Sequence, residues 1–265
     1  MEKVKLFIRP VVQWLWKMSW LRKIVTSNYS SGNIALGEKN AYIRFGNWIN
    51  VDIDGADFNI DFRSHETFPF ESNSQKVIYS SHAMEHIPEK SLEYILRESY
   101  RILKVGGFIR IEVPDAEKII TSYKNNDRKF IDYFVEGQRP LLERGFPENY
   151  IDDHNVIIGL LSCYKDSVGH VPVIAEKDQV DSKLNMLSME DFADWCVSLQ
   201  TEEQLNSGGH VNPIFFEKIS RLLKEAGFKD IMKMNNRETR IPIINIKNIE
   251  RSQRSFYSLY VEAVK

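Results

Sequence analysis

Lys76-Val-Ile-Tyr-Ser-Ser-His-Ala-Met-Glu-His-Ile-Pro88 and Arg101-Ile-Leu-Lys-Val-Gly-Gly-Phe-Ile-Arg-Ile-Glu-Val-Pro-Asp115 bracket a segment with helical periodicity. The apolar run Lys76–Tyr79 stops at Ser80-Ser81-His82, as a strand does at its end. Leu92, Ile95, Leu96, Ser99 and Leu103 then share one helix face, and Gly106-Gly107 is expected to terminate that helix. Phe108-Ile-Arg-Ile-Glu-Val follows as a second strand, closed by Pro114. Two strands joined by a helix of this length run parallel, because parallel neighbours need such a crossover.

Upstream the same rhythm continues. Asn33-Ile-Ala-Leu ends at Gly37, Trp48-Ile-Asn-Val ends at Asp52, and Ala56-Asp-Phe-Asn-Ile closes at Asp61. Downstream it breaks. Residues from about 117 to 207 are polar and aromatic, with loop signals at Gly145-Phe-Pro and Val168-Gly-His and a helix expected around Met189–Leu199. A structureless connection of that length is improbable in a compact domain, so a largely helical insertion is expected. Asn212-Pro213 reads as an N-cap with proline at the first helical position, ahead of Phe216, Ile219, Leu222, Leu223 and Ala226 and the stop at Gly227. Ser258-Leu-Tyr-Val-Glu-Ala-Val is a final strand, apolar on both faces and suited to a sheet interior.

The 265 residues are 43% hydrophobic and 27% charged, an ordinary globular composition. A net charge of -2 supplies no basic field to gather nucleic acid, so none is expected as a partner. Cys163 and Cys196, without metal-ligand spacing, read as buried small hydrophobes in a reducing, cytoplasmic compartment. Residues 1–28 form a distinct segment ahead of a domain spanning 29–265. Its first 25 residues carry six basic side chains against one acid, and Trp14, Trp16 and Trp20. The basic residues interrupt every run of about 20 apolar residues, which excludes a bilayer crossing. Val11, Trp14, Leu15, Met18, Leu21 and Val25 recur at helical spacing. That pattern fits an amphipathic helix lying on the inner face of a membrane, or one packed on protein.

In an open parallel sheet, ligands bind beyond the carboxyl ends of the strands. Gly37 would let backbone approach a ligand closely. Asp52 would accept hydrogen bonds from ribose hydroxyls, and Asp61 one from an exocyclic amine. Taken singly, each aspartate also serves as a turn former or helix cap.

In the order of its pieces, the chain resembles the type 11 group of class I methyltransferases, especially the branch associated with bacterial surface-polysaccharide synthesis. The matching residues are Ile49-Asn-Val-Asp-Ile-Asp, Phe68-Pro-Phe-Glu-Ser-Asn-Ser, the run from Tyr79 to Asp115, Leu223-Lys-Glu-Ala-Gly-Phe and Leu259-Tyr-Val-Glu-Ala. The resemblance implies a Rossmann-like α/β fold with a mostly parallel seven-stranded sheet, its last strand antiparallel, and S-adenosylmethionine bound over the ends of the first four strands. Gly37 would then sit under the methionine moiety with Glu38 facing its ammonium, Asp52 would hold the ribose, Asp61 and Phe62 would frame the adenine, and Ser81 and His82 would line the floor beside the sulfonium, with Leu36 and Ile53 as further cofactor contacts. Where the group usually carries a second glycine, this chain reads Leu36-Gly-Glu-Lys, placing Lys39 in the first motif.

The acceptor that the resemblance implies is a small molecule or glycan, lipid-linked if residues 1–25 touch a membrane. A hydroxyl acceptor needs a general base, for which His82, His154 and His210 are the candidates, with His170 beside them. Two rivals stand against this reading. His82-Ala-Met-Glu-His86 spells H-x-x-E-H, a zinc-peptidase pattern that needs both histidines on one helical face; its neighbours match the methyltransferase group instead, and no metal is expected. The other rival is a non-catalytic methyltransferase-like scaffold, for which Leu36-Gly-Glu-Lys is the argument.

Overall fold

The structure, a computed structural model, describes residues 32–37, 48–167, 169–246 and 249–265. The amphipathic segment expected at 1–28, Glu38 and Lys39 all lie outside those residues.

In chain order the elements are β1 (Asn33–Leu36), β2 (Ile49–Asp52), β3 (Phe58–Asn59), β4 (Gln75–Ser81), α1 (Glu89–Ile102), β5 (Leu103–Pro114), α2 (Ala116–Lys124), α3 (Arg128–Gln138), α4 (Pro140–Glu143), α5 (Asp153–Leu161), β6 (Cys163–Asp166), β7 (Gly169–Pro172), α6 (Lys177–Met186), α7 (Met189–Ser198), α8 (Glu202–Leu205), α9 (Phe216–Ala226), β8 (Lys229–Met234), α10 (Pro242–Ile246) and β9 (Ser258–Val264). They form two compact units. The first comprises the described residues up to Met84, Glu89–Glu112 and Ile219–Lys265; the second comprises Glu85–Pro88 and Val113–Lys218.

The first unit is built on a seven-stranded sheet of order β3-β2-β1-β4-β5-β9-β8. β1 pairs in parallel with both β2 and β4, β2 with β3, and β4 with β5, whereas β8 and β9 are antiparallel. Gly106 N–H donates to Lys265 O, and Lys265 N–H to Gly107 O, which sets the start of β5 beside the end of β9. β9 therefore runs against its neighbours, and the Rossmann-like methyltransferase architecture expected from the sequence is the one observed. Strand order reverses between β1 and β4, so the crevice for a ligand opens at the carboxyl ends of those strands. α1 buries Leu92, Ile95, Leu96, Ser99 and Ile102, the spacing of one apolar stripe. Glu98 on that helix accepts from Phe68 N–H (2.8 Å), and Arg101 donates to Phe68 O and Phe70 O (2.9 and 2.8 Å), so α1 anchors the loop after β3.

One sheet face carries a buried polar ladder. Tyr79 stands opposite Arg110, and Ser81 opposite Glu112. Arg110 is wholly buried and donates to Glu250 and to Glu262 (2.8 Å), as well as to the carbonyls of Asn235 and Glu238 (3.1 and 2.9 Å). The segment between β8 and β9 supplies these partners, together with Ile241, Ile244 and Ile249, which pack on Ala35, Trp48, Val77 and Tyr79. The charges of Arg110, Glu250 and Glu262 are paired and hydrogen-bonded, the condition on which charges survive burial.

The second unit is helical around α5, whose Val156, Ile157, Ile158 and Leu161 are all buried. It also holds the antiparallel β6–β7 hairpin, where the sequence indicates only a loop. Asp115 caps α2 by accepting from Lys118 N–H (3.3 Å).

Two element boundaries differ from expectation. The helix α1 stops at Ile102 rather than at Gly106-Gly107, because Leu103 is already paired with Gln75 in the sheet; Gly106, at φ +76°, marks the irregularity that follows. Asn212 does not cap α9, which begins at Phe216. Its side chain donates to Ile87 O (2.9 Å), and Ile214 bridges to Asp115, so the segment is spent on tertiary pairing.

Candidate functional site

Register alone assembles the cleft edge. Leu36 is paired with Val51 on one side and Ser80 on the other, so the next row reads Asp52, Gly37, Ser81 across β2, β1 and β4. Asn59 extends it beside Asp52, and Glu112 beside Ser81. With strands about 4.8 Å apart, Asp52 and Ser81 stand roughly 10 Å from each other across Gly37. The row lies at the switch in strand order.

Gly37 N–H donates to Val51 O (2.8 Å), and its φ is +71°. A β-carbon there would come 2.2 Å from the Ala83 methyl, so only glycine fits. Leu36, expected among the cofactor contacts, is 2% exposed and packs in the core, because a side chain on a central strand is covered by the layer behind it. Asp52 is half-buried; its Oδ1 accepts from Ile53 N–H (2.6 Å) and its carbonyl from Ile60 N–H (2.9 Å). Ile53 is 56% exposed, an apolar surface at the strand end. Asp61 shapes the next turn by accepting from Arg63 N–H (2.9 Å) and, through its carbonyl, from Ser64 N–H (3.0 Å). Phe62 meets Phe68 edge to face with centroids 6.4 Å apart. Glu38 lies outside the described residues.

Behind Ser81 and His82 stands a carboxylate that the sequence reading passes over. Glu112 is fully buried and accepts from Tyr79 Oη (2.7 Å), Ser81 Oγ (2.9 Å) and Tyr260 Oη (3.3 Å). Burial and the Glu112 charge push the Tyr260 hydroxyl well above its ordinary range, keeping it a donor. His82 adopts φ +51° and donates its amide to Glu112 O (2.7 Å). Its Nε2 lies 2.9 Å from Ser258 Oγ and 3.7 Å from Glu112 Oε1, and its ring meets Tyr257 edge to face. The signal was the alternation Arg110-Ile-Glu112 within an apolar strand, which marks a polar sheet face.

The other base candidates lie in the second unit. His154 is buried, with Nε2 3.0 Å from Ala175 O, at the wall of a polar cavity of about 490 Å³ that Asp152, Asp153 and Glu176 also line. His210 and His170 lie together with His86, His210 holding Leu160 O through Nδ1 (2.9 Å). The H-x-x-E-H alternative fails on geometry: Met84–His86 is a single 3-10 turn, and His82 precedes it in a left-handed conformation.

Residues 13–111 match the family described as a methyltransferase domain. No curated protein matches the chain. Among solved structures, the chain is similar to a SAM-dependent methyltransferase from Archaeoglobus fulgidus (14% identity, 97% of this chain and 94% of that one, TM-score 0.40). It is also similar to an S-adenosylmethionine-dependent methyltransferase from Mesorhizobium loti (11%, 88% and 90%, TM-score 0.40). A third is phosphoethanolamine N-methyltransferase 2 from Haemonchus contortus (13%, 88% and 48%, TM-score 0.38). The family match meets the expectation of an S-adenosylmethionine-dependent methyltransferase. Among the described residues no helix is long and apolar enough to cross a membrane.

Proposed function

We propose that this S-adenosylmethionine-dependent methyltransferase acts on a hydroxyl of a sugar or a lipid-linked saccharide, and that its cofactor lies along the row Asp52–Gly37–Ser81–His82. That row, set by the pairing of β1 with β2 and β4, is the observation that carries the reading. The residues present fit the cofactor: a carboxylate at the end of β2, backbone opened by an obligate glycine at the end of β1, and exposed apolar surface at Ile53.

S-adenosylmethionine supplies a methyl group already activated by a sulfonium. Asp52 would grip the two ribose hydroxyls, Ile53 and Phe62 would cover the adenine, and Asp61 would accept from its amine. Ser81 and His82 would form the floor. Positioning the acceptor in line with the methyl group contributes most of the catalysis, since good orientation alone is worth roughly 7–11 kcal/mol. A hydroxyl must also lose its proton as the new bond forms. His82 would take it, with Glu112 3.7 Å behind the ring to face the resulting imidazolium.

Two features of the sequence support a saccharide acceptor: the resemblance of its motifs to the polysaccharide-associated branch, and the basic, tryptophan-rich residues 1–25, a composition suited to a headgroup layer. The test incubates the full chain with cofactor carrying a radiolabelled methyl group and, in parallel, nucleotide sugars, polyprenyl-linked saccharides, phenols and amines. Label in either saccharide fraction is the expected outcome. Label confined to phenols or amines would refute the acceptor class while leaving the cofactor site intact.

A further inference from the structure

The second unit gathers donors that are far apart in sequence. Cys163, His170 and His210 present one ligand atom each, all within 4.8 Å of one another, and Glu85, His86 and His210 do the same. His210 belongs to both groups. The three imidazoles lie against one another with centroids 4.8–5.4 Å apart: His86 and His170 stack, His210 meets His86 edge to face, and His170 and His210 are tilted.

The backbone around them is built rather than incidental. A β-carbon on Gly209 would fall 1.9 Å from Cys163 O, so glycine lets the chain preceding His210 lie directly on β6. Cys163 N–H donates to His210 O (3.4 Å), and His210 N–H to Cys163 Sγ (3.3 Å). Gln200 ties Ser162 Oγ and His210 O together (2.9 and 2.8 Å). Val211 and Asn212 donate their amides to Glu85 O (3.0 and 3.1 Å), holding the 3-10 turn that carries Glu85 and His86.

Tautomers follow from two contacts. His210 Nδ1 lies 2.9 Å from Leu160 O, and His86 Nδ1 lies 3.0 Å from Gly209 O. A carbonyl only accepts, so both Nδ1 atoms carry the proton, and in neutral rings both Nε2 atoms are left as lone pairs. Donating the second ring nitrogen to a backbone carbonyl is how metal-bound histidines are oriented.

We propose that the cluster centred on His210 is a Zn2+ site, with Cys163 and His170 as its first partners and the Glu85–His86 turn closing it from the other side. The donor chemistry selects the ion, because nitrogen and sulfur ligands favour zinc over magnesium or calcium. Tetrahedral zinc with bonds of about 2.0–2.3 Å sets its ligand atoms about 3.3–3.6 Å apart. Side chains spread over 4.8 Å close on such an ion by shifts of the order of 1 Å. Binding replaces the Cys163 S–H bond with an S–Zn bond and releases one proton to solvent. His170, exposed on the hairpin, leaves a route in from solvent.

Full-length protein, stripped by dialysis against a chelator, is titrated with Zn2+ in competition with a chromophoric chelator, and separately with Co2+. One Zn2+ per chain is expected, together with a thiolate-to-cobalt charge-transfer band. His210→Ala weakens Zn2+ binding by roughly 100-fold or more, at or beyond the top of the range for losing an outer partner. Cys163→Ser removes the charge-transfer band, and His65→Gln in the first unit changes neither. Folding of each variant is checked by circular dichroism. A folded wild-type chain that takes up no stoichiometric Zn2+ overturns the proposal, as does a folded His210→Ala variant of unchanged affinity. If His210→Ala does not fold, a Cys163→Ser chain that keeps the band does so instead.

Discussion

Gly37→Ala is expected to destabilise the first unit by about 2–5 kcal/mol and to abolish detectable cofactor binding. Two terms add. An L-residue forced into the left-handed region costs about 1–2 kcal/mol, and overpacking typically costs about 1–3 kcal/mol. Both apply, because φ is +71° and the added methyl would meet the Ala83 methyl at 2.2 Å. Relief moves the end of β1 away from Asp52 and Ser81, so the lost stability and the lost binding have one cause. Chemical denaturation of Gly37→Ala, Ala83→Gly and the double variant separates the terms. Ala83→Gly in the Gly37→Ala background should return the overpacking share and leave the backbone share. A double variant no more stable than Gly37→Ala would show that the methyl contact is not the source.

The second large effect is Arg110→Met, expected to cost roughly 3–5 kcal/mol, the range for removing one partner of a buried ion pair. Arg110, Glu250 and Glu262 are all buried without exposed side-chain surface. Removing the guanidinium leaves two carboxylates facing each other, held by Asn236, Thr239, the amides of Arg237 and Arg240, and the partly buried Arg240 guanidinium. The segment between β8 and β9 loses its hold on β5, including the two carbonyls that Arg110 binds. Replacing Arg110, Glu250 and Glu262 together by apolar residues of similar volume should recover most of the loss, since no unpaired charge then remains. A single variant within about 1 kcal/mol of wild type in urea unfolding would contradict the assignment of this cluster as a paired layer.

The sheet was legible in the sequence because its information is local. Each of the first four strands ends on a polar residue or a glycine, and Leu92, Ile95, Leu96 and Ser99 repeat at helical spacing. The row Asp52–Gly37–Ser81 could be read for the same reason: strand ends in a parallel sheet converge. What failed was anything decided by partners distant in sequence. Gly106-Gly107 looks like a helix stop, yet pairing of Leu103 with Gln75 ends the helix four residues earlier. Asn212-Pro213 carries every local mark of a cap, yet Ile87 O and Glu85 O claim it. Glu112 hides in an apolar strand, and only the folded sheet shows that Tyr79, Ser81 and Tyr260 converge on it. Cys163, His170 and His210 share no motif; the β6–β7 hairpin and Gly209 bring them together.

The central claim is that the carboxylate ending β2 holds the cofactor's ribose beside the Ser81–His82 floor. Calorimetric titration of S-adenosylmethionine into wild-type protein and into Asp52→Ala tests it most directly, with unfolding midpoints confirming that both chains are folded. The account predicts saturable one-to-one binding by the wild type, weakened roughly 10-fold or more in the variant, since each charge-assisted hydrogen bond lost is worth about 1.5–3 kcal/mol. No saturable binding by the folded wild type, or equal affinity in the two chains, would contradict it.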